Sequence, residues 1–416
     1  MAEERVIKIG MLGLGTVGTG VYKVLKSQQE EMLPKLGARV ELKKILVRNV
    51  EKAAAKVDDP SIITTSFEEI ANDPEIEIVV EVMGGKQPAM NYILACLDAG
   101  KNVVTANKDL VASEGKKILA TAKRNGKDFL YEASVAGGIP IIRPVKQCLA
   151  ANHITELMGI FNGTTNFILT KMSQEGMEFG DALRLAQDMG YAEADPTADV
   201  EGYDTCRKIA ILTAMATGKE VDFEDIQTEG ITKITDVDFK YADKMGTSIK
   251  LFGTSRMNGD QVFAWVAPLM IGKSHPLYAV NDVFNGIMVK GNMLGTSMFY
   301  GSGAGKLPTA SAVVADIIEE AKNLHHNIPL GWTSEKQVIQ PMEDSSHKYF
   351  VRISGVYESQ KDKLQELFGT CKVITLEGAD EFALLTEVLN EKQFRDAKAA
   401  FEAADGKVLQ VIRAEA

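Results

Sequence analysis

The sequence predicts an α/β protein with a doubly wound parallel sheet, an α+β region after it, and a small ferredoxin-like unit at the C-terminus. Two patterns predict the sheet: short apolar runs alternate with helical segments over residues 1–134, and a glycine turn comes directly after the first run. A third pattern predicts the last unit. Residues 347–416 alternate as strand, helix, strand, strand, helix, strand, and a polar linker over 331–346 precedes them.

Composition limits the possible functions. The chain has 416 residues, enough for about three domains, and 46 basic against 57 acidic residues give a net charge of −11. This acidity makes nucleic acid and anionic membrane unfavourable partners. The cysteines form no CxxC pair, which argues against a disulfide framework and a cysteine zinc site: Cys96, Cys148, Cys206 and Cys371. No signal-peptide pattern opens the chain and no apolar run is long enough to span a membrane, so we expect a reducing, cytoplasmic setting.

Apolar periodicity gives the elements in order. Over the first 134 residues it predicts strands Val6–Leu12, Arg39–Val47, Ile76–Val82, Lys101–Thr105 and Asp128–Glu132, with helices Thr16–Lys26, Asn91–Gly100 and Ala112–Asn125. Beyond a Gly/Pro junction near residue 135 it predicts helices over 164–174, 179–189 and 200–217, strands and loops over 230–300, and a helix Pro308–Leu324. These elements divide the chain into residues 1–134 with a later helix over 305–330, residues 135–304, the linker 331–346 and the unit 347–416.

The glycine turn has the spacing Gly13-x-Gly15-x-x-Gly18 between a predicted strand and a predicted helix. In that context the motif indicates a Rossmann-type dinucleotide site, because glycines let the backbone approach a pyrophosphate at a helix N-terminus. The alternative is a tight turn that only packs a helix on a sheet. Arg48 directly follows the second predicted strand, and no carboxylate stands at the end of that strand. This favours NADP(H) over NAD(H). The alternative is that Arg48 is a surface residue.

Two further segments carry candidate chemical groups. Lys108 comes after the fourth predicted strand, at the sheet edge where ligands bind, although a lysine there is often only solvated. The segment 193–208 is rich in acids, and Asp204 and Lys208 are spaced to share one face of a helix. That pair suits ammonium recognition with proton transfer. The alternative is a capped helix start with a surface ion pair. Residues 161–166 (FNGTTN) likewise permit a threonine N-cap with an Asn-Gly turn.

Together these motifs resemble homoserine dehydrogenase, of the monofunctional bacterial kind with a C-terminal ACT domain. Residues 186–208 match the family signature A-x3-G-Y-A-x2-D-P-x2-D-V-x-G-x-D-x3-K. The family's TANK, FNGTTN and GxGAGxxPTASAVVxD elements occur at 105–108, 161–166 and 301–316. The resemblance covers essentially the whole chain. It implies an NAD(P)-binding Rossmann domain 1–134 completed by a helix over 305–330, a catalytic and dimerisation domain 135–304, the linker 331–346 and an ACT-like regulatory domain 347–416.

The resemblance implies NAD(P)H-dependent, reversible reduction of L-aspartate 4-semialdehyde to L-homoserine, in the route to threonine, methionine and isoleucine. It implies that Lys208 is the acid/base, with Asp204 and Lys108 as further active-site residues. Substrate would also contact Glu193, which resembles the ammonium-binding residue, and Asp199. The resemblance implies cofactor contacts at Leu12, Gly13, Gly15, Thr16, Val17, Gly18, Arg48, Lys108 and Gly303. It implies a monovalent cation, sodium or potassium, at Glu132, Val135, Gly137 and Ile139, and a homodimer or homotetramer.

One segment departs from the family pattern. ACT domains usually carry Asp-x-Pro-Gly-Val-Leu after their first strand, but residues 354–364 (SGVYESQKDKL) lack the Pro-Gly. L-threonine at this unit is thus possible rather than implied. Two other functions stay open from the sequence. A phosphorylating aspartate-semialdehyde dehydrogenase would need a nucleophilic cysteine with a histidine partner, and a metabolite sensor would bind cofactor without turnover.

Overall fold

The structure is a computed structural model that describes residues 5–324, 326–328 and 331–415. Its residues group into two compact units. The first unit comprises Met1–His153, Ala210–Phe223 and Phe299–Gln337, and the second comprises Ile154–Ile209, Glu224–Met298 and Val338–Ala416. The C-terminal residues therefore share a unit with the central ones, and the three-domain division remains a prediction.

Strands and helices alternate along the chain. The strands are β1 (Val6–Leu12), β2 (Arg39–Leu46), β3 (Ile63–Thr64), β4 (Ile76–Glu81), β5 (Asn102–Thr105), β6 (Phe129–Leu130), β7 (Ile154–Ile160), β8 (Gln227–Thr228), β9 (Thr247–Asn258), β10 (Gln261–Gly272), β11 (Phe284–Gly291), β12 (Gly295–Ser302), β13 (Ser346–Ser354), β14 (Cys371–Thr375), β15 (Glu381–Thr386), β16 (Leu389–Asn390) and β17 (Val408–Glu415). The helices are α1 (Thr16–Ser27), α2 (Gln29–Leu36), α3 (Val50–Ala54), α4 (Glu68–Ala71), α5 (Ala89–Asp98), α6 (Lys108–Asn125), α7 (Gly163–Glu175), α8 (Phe179–Asp188), α9 (Thr197–Val200), α10 (Tyr203–Thr217), α11 (Asp236–Met245), α12 (Lys306–Lys322), α13 (Lys361–Phe368) and α14 (Glu391–Ala403).

The first unit contains a six-stranded parallel sheet in the order β3-β2-β1-β4-β5-β6. This is the doubly wound order, in which the order of the strands reverses between β1 and β4. The apolar runs that predicted the strands are buried because helices cover the sheet. The core extends from Ile9 on β1 to Val313 on α12. The doubly wound sheet is therefore confirmed, and the helix around residues 306–322 belongs to this unit.

Several predicted boundaries were wrong. The helix predicted at Ala112 begins at Lys108, because the Asn107 side chain accepts a hydrogen bond from Leu110 N and caps it. The helix predicted over 200–217 is two helices, α9 and α10, with Gly202 between them at φ +82°. The strand predicted over Asp128–Glu132 shortens to β6. Of the helix predicted to reach residue 330, residues 325, 329 and 330 lie outside the described residues.

The second unit contains an eleven-stranded mixed sheet in the order β12-β11-β7-β9-β10-β17-β13-β15-β14, with β8 beside β10 and β16 beside β13. Within it, β13-α13-β14-β15-α14-β17 forms an antiparallel sheet in the order β17-β13-β15-β14. This confirms the ferredoxin-like topology predicted for the C-terminal unit. The predicted linker is not a free tether. It contains bridges from Lys336 to Glu220 and from Ile339 to Val262.

The C-terminal unit is joined to the central strands by backbone hydrogen bonds and by ion pairs. Strand β17 pairs in parallel with β10, at Leu269 to Ile271. Three arginines each bind two carboxylates, and one of the two lies across this junction. The pairs are Arg352 with Asp238 and Glu381, Arg413 with Glu229 and Glu391, and Arg256 with Glu156 and Glu415. Arg352 and Arg413 are each only 7% exposed. Buried arginines with two carboxylate partners each make this junction specific.

The described residues include no helix long and apolar enough to cross a membrane. None of the four cysteines forms a disulfide.

One buried carboxyl makes stability depend on pH. Glu320 on α12 is fully buried, and within the described parts of the chain neither of its carboxylate oxygens has a hydrogen-bond partner. Burial, together with the charges of Asp128 and Asp316, raises the pKa of Glu320 to about 9. Its pKa in an unfolded chain is about 4.3. The unfolded chain therefore ionises first, and stability is lost as pH rises from about 4.3 through about 9.

We expect Glu320→Gln to remove this loss, because the amide does not titrate. The difference in melting temperature between the variant and the parent should widen in favour of the variant between pH 5 and pH 9. In free energy of unfolding, the difference grows by at most about 1.4 kcal/mol per pH unit. Thermal unfolding at five pH values measures it, with the exposed Glu31→Gln as the control. A constant difference across this range would contradict the prediction.

Candidate active site

The glycine turn joins β1 to α1, and its three glycines have different roles. Gly13 has φ +103°, and a Cβ there would lie 3.0 Å from the Val82 carbonyl oxygen. A Cβ on Gly18 would lie 2.4 Å from the Gly13 carbonyl oxygen. Gly15 is exposed, and a Cβ there would meet no protein atom within 4 Å. The fold thus requires glycine at 13 and 18, while the open space at Gly15 suits close approach of a ligand.

This turn has the electrostatics of a pyrophosphate site. Helix α1 begins at Thr16 and Val17 with no side-chain cap and no acidic residue in its first turn. Its N-terminal amides and the positive end of its dipole are therefore available to an anion. Leu12, the last residue of β1, is buried directly before the turn. The motif lies where its sequence context predicted.

The glycine loop at 301–305 packs against other predicted site segments. Gly137 has φ +53°, and a Cβ there would lie 2.4 Å from the Gly303 carbonyl oxygen. Gly138 N donates to the Ser302 carbonyl oxygen at 3.1 Å. On the other side, a Cβ on Gly20 of α1 would lie 2.5 Å from the Lys306 carbonyl oxygen. The structure therefore brings together the predicted cation loop and the Gly303 loop, and packs the start of α12 on α1.

Arg48 is exposed in the first residues after β2. The next residue, Asn49, caps α3 by accepting a hydrogen bond from Lys52 N at 2.9 Å. The cap fixes the backbone beside Arg48 while its guanidinium extends towards solvent. This geometry is compatible both with binding a 2′-phosphate and with a surface arginine.

Lys108 is the first residue of α6, not a loop residue, and it is half-buried. The turn before it is held by side chains. Asn107 Nδ2 donates to the Gly85 carbonyl oxygen at 2.7 Å, and Asn107 N donates to Thr105 Oγ1 at 3.0 Å. These bonds fix the backbone of Lys108 at the C-terminal edge of the parallel sheet, where ligands bind in this architecture.

Lys208 and Asp204 form a buried ion pair. Lys208 Nζ lies 2.6 Å from Asp204 Oδ2 and donates to the Phe161 carbonyl oxygen at 2.7 Å. The two residues are 9% and 2% exposed. The surface ion-pair alternative is therefore wrong. A buried, doubly anchored ammonium group can place a proton at a defined point, which a solvated lysine cannot do.

An amide side chain connects two of the predicted acids. Asn162 Nδ2 donates to Asp204 Oδ2 at 2.9 Å and to Asp199 Oδ1 at 2.7 Å. Asn162 Oδ1 accepts from Thr165 N and caps α7. The threonine-cap alternative is therefore wrong, because asparagine holds that position. Asp199 lies in the one-turn helix α9, and it is only partly exposed.

Glu193 lies apart from this hydrogen-bonded cluster. Its side chain is exposed, and its carbonyl oxygen accepts from Gln187 Nε2 at 3.1 Å. Thr164 Oγ1 donates to the Tyr191 carbonyl oxygen at 2.7 Å, which ties the segment before Glu193 to the start of α7. The structure thus gathers Asp199, Asp204 and Lys208, and leaves the Glu193 carboxylate facing solvent.

The predicted cation loop is buried, but its carboxylate is already occupied. Glu132 accepts hydrogen bonds from three consecutive backbone amides, those of Ile141, Ile142 and Arg143, at 2.6 to 2.8 Å. Among the residues described, no group of three or more His, Cys, Asp or Glu side chains is suited to a metal ion. The Glu132 carboxylate is thus engaged with the backbone, and the cation site at Glu132, Val135, Gly137 and Ile139 stays a prediction.

The burial of Cys206 bears on one function that the sequence left open, the phosphorylating aldehyde dehydrogenase. Cys206 lies two residues from Lys208, but it is buried and burial raises the pKa of its thiol. A protonated, buried thiol is a poor nucleophile. This counts against a phosphorylating aldehyde dehydrogenase.

Sequence reasoning missed two residues of the site region, Asn162 and Glu81. Asn162 lies in a motif that a helix cap explains fully. Glu81 ends β4, and its fully buried carboxylate bonds to Thr105. A carboxylate at the end of the apolar run IEIVVE, shortly before a glycine pair, was the available signal for it.

Comparisons with known proteins agree on one family. The family model described as "Homoserine dehydrogenase, NAD binding domain" matches residues 13–132, and the model described as "Homoserine dehydrogenase" matches residues 140–318. The homoserine dehydrogenase of Bacillus subtilis is 39% identical over 411 residues, which cover 94% of each chain. That of Neisseria gonorrhoeae is 38% identical over 430 residues, 98% of each chain.

Solved structures give the same result. The crystal structure of a homoserine dehydrogenase from Thiobacillus denitrificans superposes with a TM-score of 0.92 at 39% identity, covering 99% of each chain. A hyperthermophilic archaeal homoserine dehydrogenase in complex with NADPH superposes with a TM-score of 0.64 at 26% identity. That match covers 76% of this chain and 97% of the archaeal one. The similarity therefore extends from the first β-strand to the C-terminal unit.

Proposed function

The chain belongs to the homoserine dehydrogenase family, and on that premise we propose how its own residues perform the reaction. It is an NAD(P)-dependent oxidoreductase that interconverts L-aspartate 4-semialdehyde and L-homoserine. The observation that carries the residue assignment is the buried ammonium group of Lys208, held between Asp204 and the Phe161 carbonyl oxygen.

Lys208 is the proton donor in the reductive direction. When bound, NAD(P)H supplies the hydride that reduces the aldehyde carbon. The carbonyl oxygen then becomes an alkoxide and needs a proton. Lys208 gives that proton, and in the reverse direction it takes the proton from the hydroxyl of homoserine. Asp204 holds the lysine ammonium group in place, because the two groups are in direct contact.

The acids of 193–204 hold the amino-acid end of the substrate. An ammonium group needs acceptors, and Asp199 and Asp204 present carboxylate oxygens bridged by Asn162. Glu193 is exposed, so its side chain can turn towards an incoming ammonium group. From the family resemblance we infer that Lys108 contacts the cofactor and the substrate and contributes positive charge.

The cofactor is NADP(H) in preference to NAD(H). The residues fit a dinucleotide: Gly15 leaves open space, and α1 presents an uncapped N-terminus. The pyrophosphate is held by residues 13–18 of the turn, and Leu12 and Gly303 line its surroundings. Arg48 binds the 2′-phosphate, since its guanidinium is exposed at the end of β2 and a phosphate is its natural partner.

Arg48→Ala should therefore selectively weaken the use of the phosphorylated cofactor. We expect kcat/KM for NADPH to fall by about 10-fold or more, the equivalent of losing about one charge-assisted contact of 1.4 kcal/mol or greater. The value for NADH should change less than twofold. Steady-state kinetics with both cofactors measure this, with the exposed Lys35→Ala as control. An equal fall for both cofactors would show that Arg48 does not read the phosphate.

A monovalent cation, sodium or potassium, binds main-chain oxygens of Glu132, Val135, Gly137 and Ile139. Support comes from the Glu132 side chain, which is occupied by three amides, and from the tight packing of Gly137 on Gly303. The cation would then have a structural role beside the cofactor loop. Replacing sodium and potassium with choline should lower activity, and full activity in choline would refute this site.

The C-terminal unit is an ACT-like regulatory module, and the enzyme is a cytoplasmic homodimer or homotetramer. The ferredoxin-like strand order supports the first assignment, and disulfide-free cysteines support a reducing setting. The altered turn after β13 weakens the case for L-threonine as the effector. Assays with and without L-threonine, and light scattering of the purified protein, test these two assignments.

The direct test of function is NADPH oxidation with L-aspartate 4-semialdehyde, monitored by nicotinamide absorbance and run in parallel with NADH. Rapid oxidation with formation of L-homoserine is expected. No oxidation with either cofactor, by protein shown to be folded, would replace the dehydrogenase assignment with a cofactor-binding sensor.

A further inference from the structure

We propose that Glu81 is a positioning residue of the enzyme, which holds the turn before Lys108 and the glycine turn in one arrangement. The proposal rests on the function assigned above. Glu81 is the last residue of β4, next to the point between β1 and β4 where the order of the parallel sheet reverses. It is fully buried and lies outside the glycine, TANK and FNGTTN motifs.

Donors from two different turns converge on the Glu81 carboxylate. From the turn after β4, Met83 N donates to Oε1 at 2.8 Å. From the turn after β5, Thr105 Oγ1 donates to Oε2 at 2.6 Å. The amide of Gly84 and the side chain of Asn107 also bond to this carboxylate and act to hold down its pKa. One carboxylate thus fixes two turns that are distant in sequence.

Each of these turns touches a proposed binding element. A Cβ on Gly13 would lie 3.2 Å from Met83 Cα, so the position of Met83 sets the space available to the glycine turn. On the other turn, Thr105 Oγ1 accepts from Asn107 N, and Asn107 caps α6 directly before Lys108. A shift at Glu81 would therefore move both the pyrophosphate turn and the backbone of Lys108.

The chemistry of the network requires a carboxylate. Four donors point at Glu81, and only an ionised carboxylate can accept from all of them without offering a donor of its own. Burial raises the pKa of Glu81, so its ionised form is unfavourable in this place unless its hydrogen bonds are made. Glutamine has the same shape, but its NH₂ group would face a donor and force one turn to move.

Glu81→Gln should therefore impair cofactor geometry more than folding. We expect the Kd for NADPH, from nucleotide fluorescence, to rise by about 10-fold and kcat to fall by about 10- to 100-fold, as small misplacements do. The KM for L-aspartate 4-semialdehyde should stay within about twofold. The primary isotope effect with deuterated NADPH should increase, because hydride transfer becomes slower relative to product release. Glu81→Asp should restore part of the loss, and Glu77→Gln on the same strand is the control.

A second pair of variants decides the question if Glu81→Gln does not fold. Thr105→Val keeps the shape but removes the hydroxyl that joins Glu81 to Asn107, whereas Thr105→Ser keeps the hydroxyl. We expect the valine variant, and not the serine variant, to reproduce the rise in Kd and in isotope effect. Parental values for Glu81→Gln, or for Thr105→Val, would overturn the proposal. Inactive parental enzyme would instead refute the proposed function, so the two failures are distinguishable.

Discussion

Replacing Lys208 with alanine should lower kcat by about 10²- to 10⁴-fold, the usual contribution of a positioned proton donor. The reason is that, among the described residues of this cluster, Lys208 is the only one with an ammonium group to release a proton. Asp204 and Asp199 are acceptors, and Asn162 already donates to both of them. The Kd for NADPH should stay within about twofold, since the glycine turn belongs to the first unit and Lys208 to the second. Stopped-flow kinetics and fluorescence titration measure the two quantities separately.

Loss of the ammonium group also leaves Asp204 buried without its cation, which is expected to destabilise the protein. Lys208→Arg separates the effects. Arginine keeps a positive charge beside Asp204 but does not release a proton at working pH, so it should remain folded and inactive. Arg207→Ala, one residue away, is the control for local disturbance. Near-parental turnover in either Lys208 variant, with the fold confirmed by circular dichroism, would remove Lys208 from the mechanism.

Gly15→Asp should abolish useful cofactor binding and leave stability unchanged. A side chain at Gly15 meets no protein atom within 4 Å, so the fold tolerates it. The carboxylate would, however, occupy the space proposed for a pyrophosphate and repel it. We expect the Kd for NADPH to rise by at least about 100-fold, equivalent to 2.7 kcal/mol.

Gly18→Ala is the matched opposite. Its Cβ would lie 2.4 Å from the Gly13 carbonyl oxygen, so the turn must shift, with an expected loss of about 1 to 3 kcal/mol in stability. Thermal unfolding beside NADPH titration measures both variants. If Gly15→Asp binds NADPH normally, the glycine turn has only a packing role.

The first unit was the most predictable part of the fold. Its strands are buried on both faces, so they appear in the sequence as apolar runs such as VIKIGML, and the glycine spacing determines the turn between β1 and α1. The errors lie at helix boundaries that single residues determine. Asn107 starts α6 four residues before the predicted start at Ala112, and Gly202 separates two helices that periodicity joined. Neither effect changes the apolar pattern, so pattern reasoning could not find it.

Most residues of the site could be predicted from the sequence, but their geometry could not. The spacing of Asp204 and Lys208 put them on one helix face, but spacing alone favoured a solvated pair. Only the packing around α10 shows the pair to be buried. Glu81 and Asn162 act through residues 20 or more positions away, with Thr105 and Asp204 as partners. Such contacts depend on tertiary structure and have no local signature.

The junction between β10 and β17 limits how the C-terminal unit can be exchanged by recombination. A chimaera that takes residues 347–416 from a relative receives Arg352, Arg413 and Glu415 from one parent. It receives their partners Asp238, Glu229 and Arg256 from the other. A mismatch at any of these pairs removes one of the two carboxylate partners of an arginine, or leaves a carboxylate without its arginine. We therefore expect stable hybrids to require that these residues are inherited as matched sets.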